Sequence, residues 1–182
     1  DISLELLKGK CVAVIGYGIQ GRAQACNMKD SGLNVVIGLR REGKSCDLAK
    51  KEGHVVKEIT EASKLAEIIH ILVPDMEQSE VYENHIAPYL STGKTLCFSH
   101  GASIHWKWIQ PPNDIDVIMV APKGPGQRVR ELFQDGFGTP SLVAIYQNHT
   151  GKAQESVLAL SKAIGSTRPG VIETTFKEEV ET

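Results

Sequence analysis

The stretch Cys11-Val-Ala-Val-Ile-Gly-Tyr-Gly-Ile-Gln-Gly21 decides the fold of this chain. Its first five residues form a short apolar run that stops at Gly16, which is typical of a strand buried on both faces. Gly16 permits a tight turn, Gly18 lets a phosphate approach the backbone, and Gly21 lets the next helix pack against the strand. The first turn of that helix adds free N–H groups and a partial positive charge. The stretch therefore predicts a strand–turn–helix unit that binds a dinucleotide. The alternative is a glycine turn kept for packing alone.

Outward from this unit, apolar runs alternate with helical stretches along the whole chain. Strands are predicted at residues 11–15, 34–39, 54–56, 68–73, 95–98, 117–120, 142–146 and 170–173. Helices are predicted between them, at residues 19–29, 45–52, 62–66, 77–90, 126–133 and 151–164. Such alternation predicts an α/β fold with a Rossmann-like, doubly wound, mostly parallel sheet and helices on both faces.

The composition indicates a globular domain without a nucleic-acid or membrane partner. Twenty basic and 22 acidic side chains give the 182-residue chain a formal charge of −2, whereas a nucleic-acid binder needs a basic stripe. The longest apolar run, at residues 68–73, is far shorter than the ~20 residues of a membrane span, and we expect no signal peptide. The four cysteines lack metal-ligand spacing, so we expect reduced thiols in a cytoplasmic protein, although their number also allows two disulfides.

The residues after the second predicted strand bear on the choice of dinucleotide. A carboxylate at this point would hold the ribose 2′-hydroxyl of NAD, but Arg40 and Arg41 stand here instead, and Ser45 follows at the start of the next helix. Guanidinium groups present a planar fork of donors to phosphate oxygens, which favours the 2′-phosphate of NADP. A solvated basic loop is the alternative.

Chemically distinctive residues also follow the later strands, and ligands of open α/β sheets bind beyond the carboxyl ends of strands. Asp75 and Gln78 come after the fourth run, where they can face the cofactor or simply cap a helix. His100 follows the fifth run and suits general acid–base work, although a lone histidine is more often structural. Lys123 follows the sixth run in a stiff turn, where its ammonium can hold an oxyanion, and Gly126 permits close backbone approach.

Together these residues resemble one family, the ketol-acid reductoisomerases (acetohydroxy-acid isomeroreductases) of branched-chain amino-acid synthesis. The matching segments are Val14-Ile-Gly-Tyr-Gly18 with Gln20-Gly21, Gly38-Leu-Arg40, Leu72-Val-Pro-Asp75 with Gln78, His100-Gly101, Ala121-Pro-Lys-Gly-Pro-Gly126 and Thr174-Thr-Phe-Lys-Glu178. The resemblance implies an NADPH-binding domain. For the complete enzyme it implies a Mg²⁺-dependent alkyl migration in a 2-acetyl-2-hydroxy acid, followed by hydride reduction to a 2,3-dihydroxy acid.

The resemblance also implies roles for individual residues. His100 matches the active-site histidine, and Lys123 matches the lysine near the metal-bound oxygens of the substrate. Arg40 and Ser45 would hold the 2′-phosphate. The NADPH phosphates and nicotinamide would lie against Tyr17, Gly18, Ile19, Gln20 and Gly126. The adenosine side would be bordered by Asp75, Met76, Glu77 and Gln78.

The metal ligands, by the same resemblance, belong to an all-helical carboxyl-terminal domain whose first carboxylate comes directly after a stretch like Glu178-Glu-Val-Glu-Thr182. Residues 1–174 are accordingly interpreted as the NADP-binding domain and residues 175–182 as the start of a missing helical domain. The carboxylates of Asp75, Glu178, Glu179 and Glu181 are interpreted as solvated groups rather than Mg²⁺ ligands. We therefore expect this chain alone to be inactive, and the complete enzyme to be a homo-oligomer. The alternative is a non-catalytic NADP(H)-binding or interaction module.

Overall fold

A computed structural model, which describes residues 2–40 and 42–182, contains an eight-stranded sheet. The strands are β1 (Cys11–Ile15), β2 (Asn34–Leu39), β3 (Val55–Glu58), β4 (Ile68–Ile71), β5 (Thr95–Phe98), β6 (Asp116–Pro122), β7 (Ser141–Gln147) and β8 (Val171–Glu173). Their order across the sheet is β3-β2-β1-β4-β5-β6-β7-β8. Neighbouring strands are parallel except β6 and β7, which pair antiparallel.

Helices connect the strands. They are α1 (Ile19–Asp30), α2 (Lys44–Lys51), α3 (Ile59–Leu65), α4 (Asp75–Val81), α5 (Ala102–His105), α6 (Gly126–Gln134), α7 (Ala153–Ala163) and α8 (Phe176–Glu181). The predicted α/β fold with a mostly parallel sheet is confirmed. Apart from the segment after β4, each predicted element begins and ends within three residues of the observed one.

The strand order reverses at β1, and this reversal positions the site. The chain runs outward from β1 to β2 and β3, and then returns to the other side of β1 for β4. In sheets of this kind the ligand crevice lies where the order reverses, beyond the carboxyl ends of the strands. The residues that follow β1, β2, β4, β5 and β6 are therefore neighbours at one edge.

Apolar side chains cover both faces of the sheet. Val12 and Val14 of β1 belong to a core that includes residues of α1 and α7, because successive side chains of a strand point to opposite faces. Ala13 and Ile15 belong to a second core, formed with residues of α3 and α5. These two cores hold the strand ends in place from both sides.

The predicted single helix at residues 77–90 is wrong. Helix α4 ends at Val81 and continues as a π-helical turn (Tyr82–Ile86) and a 3₁₀ turn (Ala87–Tyr89). Pro88, in the last turn, has no N–H to donate, and its ring would clash with a preceding helical carbonyl. The wider π turn keeps Tyr82 and Ile86 in the core while the chain leaves the α-helical path.

All four cysteines are free thiols, in agreement with the expected reduced state and not with the alternative of two disulfides. Among the helices of the described residues, none has both the length and the apolar character needed to cross a bilayer.

Candidate active site

The glycines of the first turn meet different surroundings. Gly16 has a φ of +105°, and a Cβ built there would lie 2.9 Å from the backbone oxygen of Leu72. A Cβ on Gly21 would lie 2.7 Å from the backbone oxygen of Gly16, so packing alone requires glycine at both positions. By contrast, Gly18 has a φ of −75°, and a Cβ there would meet no atom of the described residues within 4 Å. The open space beside Gly18 fits the close approach of a phosphate to the backbone.

The segment after β6 closes over the beginning of α1. Gln20 Nε2 donates to the backbone oxygen of Gly124 at 2.9 Å, and a side chain at Gly126 would collide with the backbone of Ile19. The backbone N–H of Lys123 donates to the oxygen of Pro140 at 2.8 Å. The turn that carries the Lys123 side chain is therefore fixed against α1 on one side and the start of β7 on the other.

A hollow of about 270 Å³ lies between the glycine turn and the end of β2. Its lining includes Gly16, Arg40, Ser45 and Glu77. The Arg40 guanidinium lies 3.7 Å from the Glu77 carboxylate, and both side chains are largely accessible to solvent. A guanidinium and a hydroxyl beside an open glycine turn suit a phosphate monoester. Arg41, also predicted to bind the 2′-phosphate, lies outside the described residues.

A larger cavity, of about 810 Å³, is lined by Gly18 and Gly126 and also by Tyr17, whose side chain is buried. The Tyr17 hydroxyl donates to Glu52, and its ring meets His54 edge-on with centroids 5.5 Å apart. Burial and the bond to Glu52 raise the pKa of Tyr17, while hydrogen bonds from Arg22 lower the pKa of Glu52. The Tyr17 side chain is thus engaged with the protein itself, and only its backbone belongs to the glycine turn.

His100, beyond the carboxyl end of β5, stands between two carboxylates. Its Nδ1 lies 2.7 Å from Oδ2 of Asp75, the first residue of α4, and its Nε2 lies 3.7 Å from Oε2 of Glu179 in α8. That Glu179 oxygen accepts a hydrogen bond from the backbone N–H of Gly101 at 2.8 Å, and Oε1 accepts one from Lys123 Nζ at 3.3 Å. Side chains from four chain segments therefore meet beyond β4, β5 and β6.

Glu179 is the member of this group that sequence reasoning missed. Its interpretation as part of a solvated face is wrong, because its side chain is only 6% exposed and binds the segments that carry Gly101 and Lys123. The spacing of Phe176, Glu179 and Val180 follows the i, i+3, i+4 pattern of one helix face, and this signal could have revealed it. Helix α8 can lie so close because position 101 has no side chain, since a Cβ there would collide with the backbone of Phe176.

A buried polar network supports the turn that carries His100. Ser99 Oγ donates to the oxygen of Val120 at 2.8 Å and accepts from Gln24 Nε2 at 3.1 Å. It also lies 3.0 Å from His70 Nε2. Burial lowers the pKa of His70 to about 3, so its imidazole is neutral. Because Ser99 already donates its one proton to Val120, His70 must be the donor, from Nε2. The network ties β4, β5, β6 and α1 together beneath the strand ends.

The described residues do not assemble a metal centre. Within residues 2–40 and 42–182, no three His, Cys, Asp or Glu side chains are grouped as metal ligands. The carboxylates nearest the strand ends, those of Asp75 and Glu179, are bonded to His100, Gly101 and Lys123. These residues therefore do not fit the Mg²⁺ that the resemblance implies.

The sequence-predicted residues fall into two groups in space. One group surrounds the glycine turn and its hollow and contains Gly16, Gly18, Gly21, Arg40, Ser45 and Glu77. The other contains Asp75, His100 and Lys123. Met76 is 88% exposed and Gln78 is buried, so neither side chain enters the hollow. Their roles in cofactor binding stay predictions.

A comparison with known families identifies the family of the chain. The sequence model of the acetohydroxy acid isomeroreductase NADPH-binding domain matches residues 6–170. The chain belongs to this family. The resemblance drawn from the motifs is thereby confirmed.

Relatives within the family include ketol-acid reductoisomerases (NADP(+)) from Nitrosopumilus maritimus (strain SCM1) and Cenarchaeum symbiosum (strain A). They are 59% and 60% identical to this chain over 182 residues, which is 100% of the chain and 55% of each relative. The chain thus spans about half the length of the curated relatives that it matches.

Solved structures show the same fold. An NADH-preferring ketol-acid reductoisomerase from an uncultured archean superposes with a TM-score of 0.95 at 48% identity, covering 98% of this chain and 56% of that one. A semialdehyde dehydrogenase NAD-binding protein from Cupriavidus necator, with a TM-score of 0.77 at 18% identity, covers 93% of this chain and 64% of that one. The second likeness concerns the fold alone.

Proposed function

We propose that this chain binds NADPH along the carboxyl ends of its strands. In this proposal the diphosphate lies at the glycine turn, the 2′-phosphate lies against Arg40 and Ser45, and the nicotinamide lies toward Gly126. The observation that carries the proposal is the open space at Gly18 together with the hollow that Arg40 lines with Gly16, two residues before Gly18. The membership of the chain in a family of NADPH-binding domains supports it.

The beginning of α1 suits the diphosphate for a further reason. Gly18 is the N-cap residue, and within the described residues no side chain caps this end of the 12-residue helix. Backbone N–H groups of a first turn without a side-chain cap, together with the helix dipole, favour an anion. Gln20 and Gly126 hold the neighbouring loop against this turn, so its shape is set before a ligand arrives.

We further propose that the complete protein is an NADP-dependent ketol-acid reductoisomerase that converts a 2-acetyl-2-hydroxy acid into a 2,3-dihydroxy acid. NADPH, when bound, supplies the hydride. The Lys123 ammonium stabilises negative charge on an oxygen of the substrate, and Glu179 holds that ammonium in place. His100 holds or moves a proton at the same place, because an imidazole exchanges protons near neutral pH.

The remaining parts of this proposal concern the complete protein. The Mg²⁺ ligands belong to a carboxyl-terminal helical domain, in keeping with relatives almost twice as long as the chain. Residues 175–182 begin that domain, the complete enzyme is a homo-oligomer, and it works in the cytoplasm in branched-chain amino-acid synthesis.

Calorimetry with NADPH and with NADH tests the cofactor proposal directly. We expect NADPH to bind more tightly, by about 1–3 kcal/mol, because its 2′-phosphate adds charge-assisted contacts. Equal affinity would remove the role of Arg40 and Ser45, and absence of binding by either would overturn the proposal. A similar structure belongs to an NADH-preferring relative, so the ratio of the two affinities is the informative quantity.

Turnover tests the rest of the proposal. We expect the 182-residue chain, with NADPH and Mg²⁺, to convert no 2-acetolactate. Turnover would show that the metal ligands lie within it. If the complete protein binds NADPH and also fails to turn over, the non-catalytic module is the better description.

A further inference from the structure

The turns after β4 and β5 are joined side by side by two side-chain hydrogen bonds. His100 Nδ1 lies 2.7 Å from Asp75 Oδ2, and Ser103 Oγ donates to Gln78 Oε1 at 2.6 Å. The partners are separated by 25 residues in both bonds, so the bonds form consecutive rungs between the same two segments. The first rung is partly exposed to solvent, whereas Gln78 and Ser103 are buried.

The buried rung fixes the orientation of the Gln78 amide. Its Nε2 donates to the backbone oxygen of Val73 at 3.1 Å and to Asp75 Oδ1 at 3.3 Å. A carbonyl and an ionised carboxylate can only accept, so the amide must turn its NH₂ toward them. The amide oxygen then faces Ser103, whose hydroxyl supplies the matching donor.

Asp75 is consequently held as an acceptor with each oxygen assigned. Oδ1 receives the Gln78 amide, and Oδ2 faces His100. An ionised carboxylate has no proton to give, so Nδ1 of His100 must be the donor. A neutral imidazole carries one ring proton, which leaves Nε2 of His100 as a free lone pair on the side of Glu179 and Lys123.

We propose that Asp75 and Gln78 are positioning residues that hold His100 in its Nδ1–H tautomer, with Nε2 available to accept a proton in the reaction. This inference rests on the proposed function, in which His100 holds or moves a proton, because it specifies which ring nitrogen accepts that proton. A carboxylate that fixes the tautomer of a catalytic imidazole is a known device of proton-transfer sites. Asp75 and Gln78 thereby have a role distinct from the contact with adenosine that the family resemblance implies.

The tautomer can be measured by NMR on the 182-residue chain with ¹⁵N-labelled histidine, at about pH 9, where ordinary imidazoles are neutral. The chain has six histidines, and loss of a signal set in His100→Gln identifies His100. We expect the wild-type chain to carry its His100 proton on Nδ1.

Asp75→Asn is the main variant. The amide oxygen of the new side chain remains with the Gln78 donor, so its NH₂ faces His100 and shifts the ring to the Nε2–H tautomer. Asp75→Ala removes the acceptor and also shifts His100 away from Nδ1–H. Glu80→Gln is the matched control, because Glu80 is an exposed carboxylate of the same helix, and we expect no shift.

An Nε2–H tautomer of His100 in the wild-type chain overturns the inference, and so does an unchanged Nδ1–H signal in both Asp75 variants. The buried His70 reports on folding, so the decision uses whichever variant leaves the His70 signals in place. If neither does, the wild-type tautomer decides. The measurement needs no cofactor, so its failure is distinct from a failure of NADPH binding.

Discussion

On the β1–β2 side of the strand-order reversal, here the open side, the groups proposed to hold the cofactor are exposed and weakly paired. On the β4–β6 side, here the braced side, the groups proposed to act on the substrate are hydrogen-bonded to one another. Arg40 lies 3.7 Å from its carboxylate partner, and its side chain is largely exposed to solvent. His100 and Lys123 lie 2.7 Å and 3.3 Å from theirs, and Glu179 between them is buried. The same sheet edge thus carries two kinds of site.

The difference follows from what each side has to do. A surface that receives a highly charged ligand gains most when its donors are free, because binding then breaks few internal bonds. Groups that act on a reacting bond must be held in one geometry, since a small displacement costs much of their effect. We therefore expect substitutions on the first side to change cofactor affinity, and substitutions on the second side to change the geometry of the reacting groups.

The largest expected effect distinguishes Gly16, where packing requires glycine, from Gly18, where we assign the glycine to ligand approach. Gly16→Ala should lower the free energy of unfolding by at least about 1–3 kcal/mol, because the residue keeps a strained positive φ and its Cβ meets Leu72. Gly18→Ala should change it by less than about 0.5 kcal/mol and should weaken NADPH binding instead. Urea unfolding and calorimetry measure the two quantities. Equal destabilisation by both substitutions would contradict the assignment of Gly18 to the ligand.

The second-largest effect is expected from charge reversal at Arg40, which lines the hollow. Arg40→Glu should weaken NADPH by about 1–3 kcal/mol and NADH much less, because only NADPH carries the 2′-phosphate. Arg128→Glu is the control, since Arg128 is an exposed cation that pairs with Glu131. If both substitutions weaken NADPH alike, the effect is one of general charge and Arg40 is not a specific contact.

The buried His70 beneath the braced side should make the free energy of unfolding depend on pH. Burial lowers the pKa of His70 to about 3 in the folded chain, whereas an imidazole in the unfolded chain titrates near ~6.5. As the pH falls below ~6.5, the unfolded chain therefore takes up a proton that the folded chain refuses, and stability falls by at most ~1.4 kcal/mol per pH unit. His70→Gln should flatten this slope in urea unfolding series, and exposed His149→Gln should not. A wild-type slope that persists in His70→Gln would assign the effect to another group.

The smallest effect concerns the partner of Arg40. Glu77→Gln should tighten NADPH by about 0.2–1 kcal/mol, the usual value of an exposed ion pair, because Arg40 no longer has a competing carboxylate. NADH affinity should stay as it is, and calorimetry compares the two. Weaker NADPH binding in this variant would mean that Glu77 contacts the cofactor directly.

Local sequence patterns were sufficient to predict the glycine turn and the position of Arg40 on the open side. The turn at Gly16 follows from steric demands that glycine alone meets, and Arg40 follows β2 at a fixed distance along the chain. Backbone geometry of this kind is determined by a few consecutive residues. The same reasoning failed at Pro88, where the demands of the core on Tyr82 and Ile86 produced a π turn that no propensity signals.

The braced side depends on contacts that spacing does not reveal. The rung between Gln78 and Ser103 and the pair of Lys123 with Glu179 join residues 25 and 56 positions apart. The sequence placed Asp75 near a strand end, but its hydrogen bond to His100 depends on how α4 and α5 are set side by side. Glu179 was within reach of a pattern argument, because Phe176 marks the inner face of its helix.

Any side chain at position 101 would lift α8 from the turn beneath it, since a Cβ there collides with the backbone of Phe176. The carboxylate of Glu179 would then leave with the helix, and both the amide of residue 101 and the ammonium of Lys123 would lose their counterpart in one movement. The ion pair of Lys123, beyond β6, therefore depends on the absence of a side chain at Gly101, beyond β5.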